Sequence, residues 1–142
     1  MTHRAESFIG PLLQGFFLEH LLAHKQASPQ TISSYRDTFR LLLQFIHRKS
    51  HIEPVNLQIS NMEAPMIIFF LESLEVERHN SIRSRNTRLA AIRTFFRWVT
   101  LCNPEYVGIA ARVMAIPSKR TVHKIVSSLS RTEVEAILEI PD

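Results

Sequence analysis

Apolar residues recur at helical spacing in four stretches of the chain, and no stretch alternates strongly enough to predict a strand. The first stretch runs from about Pro11 to His24, with Leu12, Leu13, Phe16, Phe17 and Leu21 at helical intervals. The second opens at Ser28, a helix-capping residue type followed by Pro29, whose missing N–H costs nothing at the first helical position. It continues to about Lys49. On a 100° wheel Ile32, Tyr35, Phe39, Leu42, Leu43 and Ile46 share one face, and Ser33, Arg36, Arg40, Gln44 and His47 share the opposite one. The third, from about Ala64 to Glu77, has its expected core stripe at Met66, Ile67, Phe70, Leu71 and Leu74. Ile68 and Phe69 fall outside that stripe. Core burial is the default reading for them, and contact between protomers on a shared partner is the alternative. The fourth, from about Ile82 to Leu101, sets Leu89, Ile92, Phe95, Phe96 and Val99 against Arg83, Asn86, Thr87, Arg93 and Arg97, with small Ala90 between the two faces.

Beyond the fourth helix, Pro104 opens a short helix expected to end near Val113, and Ile116 to Ser128 reads as an extended basic connector. Ser130 and Glu133 have the spacing of a capping box, each side chain reaching the other's backbone N–H. The helix they begin carries Val134, Ile137 and Leu138 on one face, with nothing following to pack against. The pattern therefore predicts an all-α bundle of four helices with a short extra helix over residues 1–115, a basic linker over 116–128, and the start of a second domain over 129–142.

Charge sharpens this picture. Between Ser81 and Lys124 lie nine basic residues, Arg83, Arg85, Arg88, Arg93, Arg97, Arg112, Lys119, Arg120 and Lys124, against one acid, Glu105. Between Ile52 and Asn80 five acids, Glu53, Glu63, Glu72, Glu75 and Glu77, oppose Arg78 alone. A formal net charge of +4 thus conceals a polarised molecule, the electrostatic footprint of a nucleic-acid binder. At 142 residues and 45% apolar content the chain can bury a core without disulfides or metal. Cys102, the single cysteine, stands in an apolar stretch and is expected to be a buried structural thiol in a reducing cytoplasm. The longest uninterrupted apolar run, Pro65 to Leu71, is too short to span a membrane.

Candidate chemistry competes with plain packing at several positions. His20 and His24 are one helical turn apart, but no HExxH arrangement or further ligand cluster accompanies them, so no metal is expected. Gly10, Gly15 and Gly108 are isolated and form no phosphate-cradling loop. Tyr35 and Tyr106 sit where packing is the default. No catalytic residue and no cofactor site is expected. The basic faces differ from ordinary solvated ones because, Asp37 apart, they carry almost no acid. Arg36, Arg40, Arg83, Arg85, Arg93, Lys119, Arg120 and Lys124 are expected to neutralise phosphates of duplex DNA. Thr31, Ser33, Gln44, Asn86 and Thr87 are expected to lie nearest to bases or phosphates. The competing reading is a protein-interaction module whose basic face meets an acidic partner. A helix-turn-helix repressor fits less well, because no short helix, turn and recognition helix can be picked out.

Three segments resemble the tyrosine recombinases of the phage-integrase family. RNTRLAAIRTFFRWV, residues 85–99, is similar to the last long helix of that family's core-binding domain. SPQTISSYRDTFRLLLQFI, residues 28–46, is similar to the opening of its second helix. IPSKR, residues 116–120, followed by LSRTEVEAIL, residues 129–138, resembles the interdomain linker and the first helix of the catalytic domain. The resemblance implies a SAM-like helical domain that forms half of a clamp on duplex DNA, used for integration or recombination. It also implies a catalytic tyrosine with arginines, a lysine and histidines, all beyond the point corresponding to Asp142. The chain is then expected to bind DNA and catalyse nothing, with no small-molecule substrate. Charge reversal at Arg83 and Arg93 together is expected to abolish binding, and reversal at Glu72 and Glu75 to leave it intact or tighten it.

Overall fold

A computed structural model of the chain describes residues 8–120. Helix α1 (Ile9–Gly15) runs directly into a π-helical stretch, Phe16–His24, and is followed by α2 (Pro29–Ser50), α3 (Ala64–Val76), α4 (Ile82–Cys102) and α5 (Val107–Met114). Short 3₁₀ turns at Pro54–Asn56, Ile59–Asn61 and Pro104–Tyr106 connect them. The helical fold and three of the four main helices match the periodicity to within a residue or two. Lys124, residues 121–128 of the expected linker, and the capping box at Ser130 and Glu133 with its helix lie outside the described residues.

Local chemistry sets the helix starts. The Ser28 hydroxyl accepts from the Thr31 N–H at 3.1 Å, with Pro29 inside the first turn, and the Ser81 hydroxyl accepts from the Ser84 N–H at 3.1 Å. Helix α2 ends at His51, which takes the left-handed conformation at φ 61° that closes a helix. The first helix departs from expectation. Beyond Gly15 it widens to i→i+5 bonding, with Lys25 N–H donating to His20 C=O at 2.8 Å, so a 100° wheel no longer describes its faces. Leu21 is buried while Leu18 and Leu22 face outward. Gly15 permits a close approach here: a Cβ at that position would stand 3.0 Å from the edge of the Trp98 ring, which would have to shift by a few tenths of an ångström.

Helix α4 runs through the middle, packing against α2, α3, α5 and the π-helical stretch. Its predicted stripe, Leu89, Ile92, Phe95, Phe96 and Val99, is fully buried. Phe95 lies 5.3 Å from Phe16 and 5.2 Å from Phe39, ring centre to ring centre, so one aromatic cluster joins three helices. On α2 the buried face is wider than the wheel predicts. Leu41 and Phe45 join Phe39, Leu42 and Ile46, because α3 covers that flank and sets Phe70 5.8 Å from Phe45. Ile32, Tyr35 and Leu43 are only partly buried. Ile68 and Phe69 are exposed, so the expected default of core burial is corrected for both. Val76 extends the same outer face of α3.

Candidate nucleic-acid interface

Helices α2 and α4 lie side by side, and between them runs an open groove of about 650 Å³. Ser33, Arg36 and Arg40 line it from α2, and Arg83, Thr87 and Arg88 from α4. Four guanidinium groups thus converge against one carboxylate, Asp37. Two of the four also brace the groove. Arg88 donates to Asp37 Oδ2 at 3.0 Å and to the buried Thr38 hydroxyl at 2.9 Å, fastening α4 to α2, while Arg40 pairs with the other Asp37 oxygen. The hydrogen bond from Arg40, and then the hydrogen bond and charge of Arg88, outweigh burial and hold the Asp37 carboxyl below its ordinary range. Arg36 and Arg83 have no acidic partner among the described residues, and both are exposed. Ala90, one turn beyond Thr87 on the same outer stripe, is exposed and small enough for a close approach.

The other flank of α4 is built differently. Arg85, expected on the exposed basic face, is buried at 6% exposure, and its Nε lies 3.9 Å from Glu75 of α3. The correction has a simple cause: α3 covers this side of α4 and supplies a countercharge. Asn86 is committed as well. Its Nδ2 donates to the Lys119 carbonyl at 2.8 Å, and its Oδ1 accepts from the Lys119 N–H at 2.9 Å. Arg93 donates to the Ile116 carbonyl and, at 3.3 Å, to the Ser118 hydroxyl. Lys119 Nζ reaches Glu75 at 2.7 Å. Of these four residues expected to meet DNA, Asn86 and Arg93 hold residues 116–119 against the bundle, while Arg85 and Lys119 both face Glu75. Glu75 is thus a partner of two cations, Arg85 and Lys119, rather than a lone surface acid.

The remaining candidates disperse. Gln44 lines a separate hollow between α2 and α3 with Arg48 and Arg78. Thr31 lines a third, beside His20, His24, Lys25 and Arg97. Arg120 is exposed. His20 and His24 stack with ring centres 5.9 Å apart, and burial, then the charges of Lys25 and His24, lowers the pKa of His20. Among the described residues no group of three or more His, Cys, Asp or Glu could hold a metal. Cys102 is exposed, contrary to expectation, because it ends α4 beyond Val99, the last residue of the buried stripe. Partial burial, and then the charge of Glu19, pushes its thiol up, which favours the unreactive protonated form. No described helix is long and apolar enough to cross a membrane.

A family model for the phage integrase N-terminal SAM-like domain matches residues 16–101, a stretch that begins at the π-helical segment and ends one residue before α4 does. The chain belongs to this family. It is also 48% identical, over its whole length, to "Putative integrase/recombinase y4rC" of Sinorhizobium fredii (strain NBRC 101917 / NGR234), covering 42% of that protein. To "Putative integrase/recombinase y4rD" of the same organism it is 38% identical over 134 residues, 94% of this chain and 48% of the relative. This integrase-type domain thus spans somewhat less than half the length of the two relatives it matches. No solved structure matches the chain.

Proposed function

We propose that the chain is the DNA-binding part of a site-specific recombinase or integrase, forming one half of a clamp on duplex DNA. The observation that carries this reading is the α2/α4 groove, where exposed Arg36 and Arg83, without acidic partners among the described residues, stand with Ser33 and Thr87 in the lining that the two helices share. Guanidinium groups supply phosphate neutralisation, and the hydroxyls supply hydrogen bonds to phosphate or base edges. Strand cutting belongs, on this reading, to the remainder of a longer protein, as the length of the two relatives suggests. Tyr35 is stacked on Phe16 with ring centres 6.1 Å apart, and Tyr106 is packed against the core, which supports reading both as packing residues. The outer stripe of Ile68, Phe69 and Val76 on α3 is the face available for contact between protomers on DNA.

Fluorescence anisotropy on random duplex at several salt concentrations tests the proposal. With Arg93 and Lys119 engaged internally, about three to five phosphates remain to be neutralised, which predicts log affinity falling with log salt at a slope of about −3 to −4.5. Absence of duplex binding at low salt, with saturable binding to an acidic polypeptide, would overturn it in favour of a protein-interaction module. A suicide substrate should give no covalent adduct on a denaturing gel.

A further inference from the structure

A carboxamide carries one acceptor and an N–H donor at nearly the spacing of a peptide unit, so it can close a ring of two hydrogen bonds with the backbone of a single residue. Asn86 does this with Lys119, 33 positions away, using both faces of its amide. The amide's orientation is itself fixed, since Arg85 donates to the same Oδ1 at 3.3 Å and would repel an N–H placed there. Around this ring stand three more fastenings: Arg93 on the Ile116 carbonyl and the Ser118 hydroxyl, Glu75 on the Lys119 ammonium, and Ile116 itself, buried against the core at 4% exposure. A flexible tether needs none of these contacts. A segment whose direction matters does.

We propose that Asn86 is a positioning residue: with Arg93 and Glu75 it clasps residues 116–119, fixes the course on which the chain leaves the bundle, and acts on DNA only through Arg120, the exposed cation that follows the clasp. The clasp stands independently of the DNA-binding reading, whereas its effect on affinity rests on it. Fixing the residue before Arg120 against α4 removes ordering entropy that a free tether would lose on binding.

The test uses the whole 142-residue chain and two readouts. In the absence of DNA, amide hydrogen exchange followed by NMR should show the Lys119 N–H protected. Asn86→Ala should speed its exchange about tenfold, the order expected for losing a pair of side-chain hydrogen bonds, and leave the α4 core amides unchanged. Asn86→Asp, which keeps the acceptor but not the donor, should fall between. Arg93→Ala should loosen Lys119 by the same route from a different side chain. On DNA, Asn86→Ala should weaken binding a few-fold, equally on all duplex sequences. Unchanged Lys119 exchange in both alanine variants would overturn the clasp. Faster exchange with unaltered affinity, or unaltered exchange with altered base preference, would overturn the positioning role. Wild-type protection in a chain that binds no duplex would leave the clasp standing and count against the functional reading alone.

Discussion

The two flanks of α4 carry the same kinds of residue and put them to opposite uses. Toward α2, Arg83 and Thr87 open onto a groove whose carboxylate, Asp37, is taken up by Arg40 and Arg88, leaving Arg36 and Arg83 without an acidic partner among the described residues. Toward α3 and α5, Arg85, Asn86 and Arg93 are absorbed by Glu75 and by the backbone of residues 116–119. Arginine on one flank is available to a polyanion. Arginine on the other is a structural cation whose partner is already present. Charge density alone does not distinguish the two, because the distinction lies in where the countercharge comes from. Asp37 shows the intermediate case: it serves the α2–α4 junction by holding Arg40 and Arg88, and in doing so it tempers the groove it lies in.

The sharpest way to break this comparison is to reverse charge on the open flank. Arg36→Glu with Arg83→Glu should weaken duplex binding by about a hundredfold, since like-charge juxtaposition at an interface costs several kcal/mol. Because both side chains are exposed and unpaired, urea unfolding should move by no more than about 0.5 kcal/mol. A loss of stability comparable to the loss of affinity would erase the distinction between the flanks.

The paired flank should respond in the opposite sense. Glu75→Gln removes the charge facing Arg85, whose side chain is only 7% exposed, and should cost about 2–3 kcal/mol in urea unfolding. Glu72→Gln, one turn earlier on the exposed side of α3, should stay within about 0.5 kcal/mol. Equal effects from the two glutamates would mean that Arg85 does not depend on Glu75.

Asp37 gives the smallest and most discriminating effect. Asp37→Asn should tighten duplex binding a few-fold by removing the groove's carboxylate, while destabilising the fold by less than about 1 kcal/mol, as befits a pair that is partly exposed. The pH dependence follows from the lowered pKa. The contribution of Asp37 to stability is complete above its ordinary value of 3.8 and is lost as pH falls through that value toward the lower folded one. The stability difference between wild type and Asp37→Asn, measured by urea titration from pH 7 to pH 3, should therefore shrink in acid. A difference that grows would place the carboxylate elsewhere.

Much of this molecule is determined locally. Periodic apolar residues, Ser28 with Pro29, and the Leu89–Val99 stripe specify α2 to α4 because helical spacing, capping and burial act within one turn or one face. Ser33, Arg36, Arg40, Arg83 and Thr87 were legible as polar helix positions for the same reason, each lying on the polar edge of a helix whose apolar edge is plain. What sequence could not decide is which neighbour each edge would meet. The inward turn of Arg85 and the capture of Lys119 by Asn86 depend on residues distant in the chain, the latter across 33 positions. A helical wheel separates polar from apolar. Only packing in three dimensions separates a cation that has found its partner from one still exposed to solvent.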